Sequence, residues 1–198
     1  MQHIPQSSLF TPRTAVLAGM IAFAVAVRLL IYFVPGVLPY HFTPVEAIAL
    51  FGGAYFSDRR FAFVVPLAAM ALADLTIALS LSDEMLGYWY RSVASVYLCI
   101  ALTVFGGFGL RDRIGITRVA AYSFASAVLF FIVTNFGVWL FAAGSAGDAC
   151  MQGLLPCYVA AIPFFGGTLA GTLVWSAILF GGFELMKLRW TSLAGAAA

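Results

Sequence analysis

Six long apolar runs alternate with short polar connections along the chain of 198 residues. A helix needs about 20 apolar residues to cross roughly 30 Å of hydrocarbon, and most of these runs approach or exceed that length. We therefore predict an all-α integral membrane protein with six transmembrane helices in one domain, residues 1–190, followed by a flexible tail, 191–198. The predicted spans cover residues 14–34, 44–57, 61–79, 92–110, 119–143 and 158–186.

The second run is the shortest, because 14 residues from Pro44 to Ser57 form only about 21 Å of helix. Its start is typical of a helix N-terminus: Thr43 is placed to cap it, Pro44 takes the first helical position and Glu46 completes a capping box. Since this helix is short for a full span, we expect residues 35–42 to dip into the outer membrane region. Irregular backbone at that depth is tolerated only against protein or a water-filled cavity.

The basic residues alternate between the connections. Of the three connections at 35–43, 81–91 and 145–157, only the second contains a lysine or arginine, Arg91. Eight of the ten basic residues lie on the other side, namely Arg13, Arg59, Arg60, Arg111, Arg113, Arg118, Lys187 and Arg189. Because short loops rich in Lys and Arg stay in the cytoplasm, we predict that both termini are cytoplasmic, in a multi-pass protein of the bacterial inner membrane. The first run lacks a clear cleavage site, so we expect it to be retained as a span rather than removed as a signal peptide.

Composition supports a membrane protein, since 63% of residues are hydrophobic and 9% are charged, whereas about 25% charged is ordinary for a soluble domain. The net charge of +2 follows from the topology and gives no reason to expect nucleic acid as a partner. The expected partners are a small-molecule substrate and membrane lipid.

Four spans carry a polar group about 21 to 25 Å above the basic connections: Arg28, Asp74, Asn135 and Thr172. A charge at such a depth costs at least about 2.5–3.5 kcal/mol unless it faces protein or water. Two interpretations stay open for Arg28 and Asp74. They form a structural ion pair, or they line a binding pocket.

The outer connections are rich in aromatic residues. An interfacial belt explains part of this enrichment, but rings beside a guanidinium also suit a flat or anionic organic ligand. We predict an outer-half pocket under the first outer loop, which would act as its lid. The candidate substrate-binding residues are Arg28, Tyr40, His41, Asp74, Tyr88, Trp89, Arg91, Asn135 and Trp139.

Other chemistry is sparse. His41 has no second ligand at metal-binding spacing, so we expect no protein-only metal site and no cofactor, although a single axial ligand to a metal-bearing cofactor stays open. Cys150 and Cys157 share an outer loop, where a disulfide is one alternative. No catalytic constellation is evident, so we do not expect an enzyme. The glycine pairs are expected to serve close helix packing: Gly52-Gly53, Gly106-Gly107 and Gly166-Gly167.

A strip of small residues, Ala18, Ala22 and Ala26, lies on one face of the first span and would let another helix approach closely. This strip resembles the alanine motif by which substrate-binding (S) components of energy-coupling-factor vitamin transporters dock on their transmembrane coupling subunit. Those components are six-helix proteins of about this length with both termini cytoplasmic. The resemblance implies an S-component-like bundle, an outer-half ligand pocket and an energy-coupling partner.

Several segments are also similar to a family of bacterial six-helix membrane proteins described as transport proteins, namely 42–56, 66–70 with Asp74, 134–139 and 157–165. This similarity covers most of residues 40–185 and names no substrate. Solitary cobalamin transporters of the same six-helix class ligate cobalt with a cysteine after the third span. Residues 80–90 here contain no cysteine, so only His41 or an outer-loop cysteine is left for that role.

We therefore predict a membrane transport protein that binds a small, vitamin-like organic solute for uptake, as an S-component-like subunit or a solitary transporter. The alternatives are uptake of cobalamin or a related corrinoid, an intramembrane enzyme using Asp74 and Glu46, and a membrane assembly factor.

Overall fold

The computed structural model describes residues 11–39, 41–111, 113–141 and 149–193, apart from the side chains of residues 83–85, 88, 89, 91 and 92. Throughout these residues the structure is all-helical. Its six α-helices are α1 (Pro12–Phe33), α2 (Val45–Tyr55), α3 (Arg59–Ala78), α4 (Asp83–Gly107), α5 (Ile116–Leu140) and α6 (Leu154–Arg189). Short 3-10 turns occupy Phe108–Leu110, Ala149–Gln152 and Thr191–Leu193.

Five of these helices, all except α2, are long and apolar enough to cross a membrane. Each of the five also presents large apolar side chains on the outside of the bundle, for example Phe23, Leu72, Phe105, Phe124 and Ile162. A soluble protein rarely exposes so much contiguous apolar surface. The chain therefore has the surface and the helix lengths of a membrane-spanning helical protein.

The helix α2 differs from the other five because all 11 of its residues are buried. It is about 16 Å long and contacts each of the other five helices. The predicted second span is short and central: α2 lies in the middle of the bundle with protein around it, and among the described α-helices it is the one too short to count with the five long apolar ones. Apolar composition cannot distinguish this environment from lipid, because both exclude water.

The predicted capping box at the start of α2 is wrong. The N-cap residue is Pro44, and no side chain caps the helix. Glu46 instead points to α6, where its Oε2 lies within hydrogen-bonding distance, 3.3 Å, of the Thr172 hydroxyl oxygen. The preceding segment does enter the bundle, since Pro44 is fully buried and a Cβ at Gly171 of α6 would lie 2.9 Å from the Thr43 nitrogen.

Two helix starts lie earlier than expected. Helix α4 begins at Asp83 rather than near residue 92, and α6 begins at Leu154 rather than at Tyr158. Most of the expected second outer connection, 81–91, is thus helical, because a helix can continue beyond the apolar run that marks membrane depth. Part of the expected flexible tail is also ordered: Leu193 is buried, whereas residues 194–198 lie outside the described residues.

Three of the glycines predicted to serve close packing bring α2 against its neighbours, whereas a Cβ at Gly106 or Gly166 would have no neighbour within 4 Å. A Cβ at Gly53 would lie 2.2 Å from the Val104 carbonyl oxygen of α4, and one at Gly107 would lie 2.6 Å from the Leu50 oxygen. A Cβ at Gly52 would meet the Pro66 ring of α3 at 2.5 Å. Only a residue without a side chain fits at these crossings, so the glycines fix the position of α2.

Basic residues converge where α2 ends. The Arg111 Nε donates to the Gly53 carbonyl at 2.9 Å, and its Nη2 donates to the Phe56 carbonyl at 2.7 Å. From α1, Arg13 donates to the Tyr55 carbonyl at 3.2 Å. Positive charge is favourable at the C-terminal end of a helix dipole. We call this side of the bundle the basic end and the opposite side the outer end.

Candidate functional site

The ion pair between α1 and α3 is formed. The Arg28 Nη2 lies 2.6 Å from the Asp74 Oδ1, and the Tyr97 hydroxyl of α4 donates to the other carboxylate oxygen at 3.0 Å. The second guanidinium nitrogen of Arg28 is 3.4 Å from the Met70 sulfur. Asp74 is 3% exposed. This pair therefore joins three helices through one buried carboxylate.

A second buried carboxyl lies between α2 and α6. Glu46 is 2% exposed and Thr172 is fully buried. The Thr172 hydroxyl is 3.3 Å from the Glu46 Oε2 and 2.8 Å from the Thr168 carbonyl oxygen, one turn earlier in α6. The Arg28 guanidinium acts electrostatically on Glu46, yet within the described residues its ion pair is with Asp74.

A cavity of about 530 Å³ opens between α4, α5, α6 and the loop before α2. Its walls are largely apolar, with four phenylalanine rings and a few polar groups among them. The lining residues are His41, Ser95, Val96, Phe130, Phe131, Thr134, Asn135, Val138, Cys150, Cys157, Ala160, Ala161, Phe164, Phe165 and Thr168. Pockets of 300–1,000 Å³ with apolar walls and a few placed polar groups are typical of small-molecule sites.

The rim of this cavity is held by a disulfide between Cys150 and Cys157, the pairing that the sequence left open. The bond ties the start of α6 to the short turn before it. The Cys157 sulfur also lies 3.7 Å from the Asn135 carbonyl oxygen of α5. No group of three His, Cys, Asp or Glu side chains suited to a metal ion occurs in the described part of the chain.

His41 forms one wall of the cavity in an unusual backbone conformation. Its φ angle is 62°, a left-handed value that costs energy in a residue other than glycine and is often found at functional sites. The imidazole ring lies edge-on to the Phe164 ring, with 5.5 Å between the ring centroids. Burial lowers the pKa of His41, so the ring is neutral at neutral pH.

The structure divides the predicted site residues between separate places. His41 and Asn135 line the cavity, whereas Arg28, Asp74 and Trp139 are absent from its lining. The Asn135 amide donates to the Phe131 carbonyl at 2.7 Å, and the Trp139 ring packs 5.5 Å from the Phe136 ring. Tyr40 lies outside the described residues, as do the side chains of Tyr88, Trp89 and Arg91.

The alanine strip lies on the outside of the bundle. Ala22 and Ala26 are exposed and Ala18 is half-buried, and a Cβ at the nearby Gly19 would have no neighbour within 4 Å. None of the three alanines belongs to the lining of the cavity.

A second groove, of about 560 Å³, lies at the basic end between the start of α5 and the end of α6. Its polar groups are used internally: the Ser123 hydroxyl donates to Ser176 at 2.8 Å, and Glu184 binds Lys187. The groove otherwise offers apolar surface, which suits lipid. The outer cavity is therefore the better candidate for a polar or aromatic solute.

Residues 8–193 match the model of a family of unknown function, DUF6580. The chain belongs to DUF6580. No curated protein and no solved structure matches the chain significantly. The cavity, the ion pair and the Glu46–Thr172 contact all lie within the part of the chain that the DUF6580 model covers.

Sequence reasoning missed several groups of this DUF6580 chain. Glu46 was assigned to a cap, although a carboxyl within a run as apolar as 45–55 is itself a signal of a buried site. Tyr97 carried no signal beyond one hydroxyl in an apolar span. Ser95, Thr134 and Thr168 were missed because small polar residues occur on many membrane helices and only tertiary packing shows which of them share a cavity.

Proposed function

We propose that this protein is a membrane transport protein that binds a small, vitamin-like organic solute in the outer-end cavity for uptake. The observation that carries this proposal is the cavity itself, with a volume of about 530 Å³. Aromatic side chains such as Phe131 and Phe165, whose ring centroids lie 5.2 Å apart with the ring planes tilted by 60°, suit a flat ring. The hydroxyls and amide of Ser95, Thr134 and Asn135 would fix its orientation.

The proposed orientation places the basic end in the cytoplasm of a bacterial cell and the cavity at the external face of the inner membrane. It rests on the positive-inside rule. Three basic residues surround Tyr55 at the basic end. Arg13 donates to the Tyr55 carbonyl, Arg111 donates to the carbonyl of the next residue, and the Lys187 ammonium lies over the Tyr55 ring. With this orientation the cavity would take its solute from outside and the disulfide would face an oxidising compartment.

The transporter would act as an S-component-like subunit or alone. The exposed face formed by Ala18, Ala22 and Ala26 supports docking of an energy-coupling transmembrane subunit, because small residues allow close helix approach. Replacing Ala22 by Trp would then stop uptake in cells and leave solute binding by the purified protein intact. If purified Ala22→Trp protein failed to bind, the strip would belong to the binding fold and not to docking.

Uptake of a corrinoid is the second candidate, and one observation favours it. His41 lies in the cavity wall with a neutral imidazole, the form that a single axial ligand to a metal-bearing cofactor requires. An absorption spectrum of the purified protein after incubation with a cobalt corrinoid distinguishes this candidate, because axial coordination by His41 would shift the corrinoid bands and His41→Ala would not show that shift.

Mass spectrometry of small molecules released from purified protein tests the proposal. Wild-type protein should release a molecule that is enriched over detergent and lipid controls. Ala161→Trp fills the cavity and should release none. Ala71→Trp is the matched control because Ala71 is exposed on α3, so it should retain the molecule. Equal retention by both variants would place the molecule elsewhere and refute the proposed site.

A further inference from the structure

Glu46 is a buried carboxyl that the proposed binding cavity does not use directly. It is the second residue of α2, a helix in which every residue is buried. Its position is fixed from both sides, since Gly53 and Gly107 lock α2 against α4, and Gly171 of α6 meets the Thr43 backbone. The side chain therefore has little freedom to move away from α6 or to reach water.

The charges around Glu46 do not balance if both nearby carboxyls are ionised. One guanidinium, Arg28, serves Asp74 at 2.6 Å, and the Tyr97 hydroxyl also donates to Asp74. Arg28 therefore pairs with Asp74, and among the described residues Glu46 has no ion pair of its own. A second uncompensated carboxylate at this depth would carry a desolvation penalty larger than the benefit that the N-terminus of α2 gives to an anion.

The hydroxyl of Thr172 indicates where a proton lies. A hydroxyl has a single proton to donate, and the Thr168 carbonyl, at 2.8 Å, is a closer acceptor than the Glu46 carboxyl, at 3.3 Å. If Glu46 is the neutral acid, its own O–H donates to the Thr172 oxygen while Thr172 donates to Thr168. Every group in this row then has a partner.

The same row leads to the cavity. Thr168 belongs to the cavity lining and lies one helical turn from Thr172 on α6. The loop before α2 connects the two places a second time, because His41 lines the cavity and is five residues before Glu46 in the chain. Any change at the cavity wall that moves Thr168 or His41 would therefore alter the surroundings of the Glu46 carboxyl.

We propose that Glu46 is a proton-binding site, occupied in the resting protein and linked through Thr172 and Thr168 to the outer-end cavity. The ligand of this site is the proton. The inference rests on the proposed function in one respect: solute binding is the event to which the proton is coupled. Uptake would then be driven or regulated by the proton gradient across the membrane.

The ionisable groups that bear on Glu46 come from several helices. The guanidinium of Arg28, on α1, interacts electrostatically with Glu46. Glu46 also interacts electrostatically with the Cys99 thiol of α4. Asp74 and Tyr97 act through Arg28. Elsewhere, α5 offers Arg118 and Tyr122, and α6 offers Glu184, Lys187 and Arg189 towards the basic end. None of these is a second cation that ion-pairs with Glu46 in the described residues.

Infrared spectroscopy of the full-length protein in lipid nanodiscs tests the proton site without any solute. Wild-type protein should show the C=O stretching band of a buried carboxylic acid at neutral pH, and Glu46→Gln should lose it. Glu184→Gln is the matched control, because that carboxyl binds Lys187 at the basic end, and it should keep the band. A wild-type spectrum without the band, or a Glu46→Gln spectrum that retains it, would overturn the proposal.

The link to the cavity is tested by the pH at which this band disappears. Thr172→Val should change the proton affinity of Glu46 several-fold and so shift that midpoint. Thr103→Val removes another buried hydroxyl, one in α4 without a described partner, and should leave the midpoint unchanged. Filling the cavity with Ala161→Trp should also shift the midpoint, and Ala71→Trp should not. A band whose midpoint is the same in all four variants would refute coupling.

The infrared and mass-spectrometry results separate the two proposals. If wild-type protein shows no carboxylic acid band, and Ala161→Trp protein still releases no small molecule, the proton site is refuted and the binding cavity is supported. If the band depends on Glu46 but Ala161→Trp protein retains the small molecule, the proton site is supported and the cavity is refuted as the solute site. Thermal unfolding of each variant shows whether it is folded, and Glu46→Asp provides a second carboxyl variant that should keep the band if Glu46→Gln fails to fold.

Discussion

The two ends of α2 lie in the same bundle and are built differently. At its C-terminal end, the carbonyls of Gly53, Tyr55 and Phe56 receive guanidinium groups from Arg13 and Arg111. The N-terminal end has no side-chain cap. It is preceded by His41 in a left-handed conformation and stands beside a cavity. Guanidinium groups bind the backbone carbonyls at the C-terminal end, whereas the N-terminal end follows a residue in a strained backbone conformation that lines a cavity.

This difference indicates that the two ends of α2 have different roles, one in fixing the helix and one in forming the cavity. Charge-assisted hydrogen bonds and glycine contacts fix the C-terminal end, so α2 can keep its N-terminal residues at a constant depth. Irregular backbone can then line a cavity at the outer end, as membrane proteins allow only where protein or water surrounds it. We expect substitutions at the C-terminal end to affect folding and those at the N-terminal end to affect binding.

The largest effect is expected at Arg111. Its side chain makes two charge-assisted hydrogen bonds to α2 and covers the Phe108 ring at 4.3 Å, so Arg111→Ala should cost about 3 kcal/mol of stability. Arg113→Ala is the control, because Arg113 is exposed and should change stability by less than about 0.5 kcal/mol. Thermal or denaturant unfolding in detergent gives both values, and equal costs would contradict an anchored C-terminal end.

An intermediate effect is expected where α2 crosses α4. Gly107→Ala would place a Cβ 2.6 Å from the Leu50 carbonyl oxygen, and backbone cannot yield as a side chain can, so a loss of about 1–3 kcal/mol is expected. The neighbouring Gly106→Ala has open space and should stabilise slightly through helix propensity. If the two alanine variants unfold at the same temperature, α2 is not packed as described.

The smallest effect concerns His41 and sharpens the contrast at the outer end. Its pKa is lowered in the folded state, so the unfolded chain binds this proton more tightly. The contribution of His41 to the free energy of unfolding should therefore be fully present above the ordinary histidine pKa and decrease as the pH falls below that value. His41→Gln should remove this part of the pH dependence in thermal unfolding curves. Wild-type and variant curves that change in parallel with pH would contradict a desolvated imidazole.

Much of the fold follows from the sequence, because the apolar runs located all five long helices. The sequence did not show that α2 is surrounded by protein, since burial in protein and burial in lipid select the same apolar residues. The prediction also placed the start of α4 too late, because residues 83–92 are too polar for a membrane core but are compatible with a helix. Local composition thus predicted the helical segments but not what surrounds each of them.

The site was less predictable than the fold. Counting residues from the basic connections placed Arg28 and Asp74 at one height, and the structure pairs them. Height alone does not give the direction in which a helix face points, so the ion pair and the cavity could not be separated from sequence. The role of Glu46 depends on Thr172, which lies 126 residues away, and no local pattern connects the two.

The central claim is that the outer-end cavity binds a small solute, and ligand-dependent thermal stability tests it most directly. The molecule released from wild-type protein would be added back to wild type, Ala161→Trp and Ala71→Trp. A ligand that binds only the folded protein raises its unfolding temperature, so we predict a rise for wild type and Ala71→Trp and none for Ala161→Trp. An equal rise in Ala161→Trp would contradict the claim.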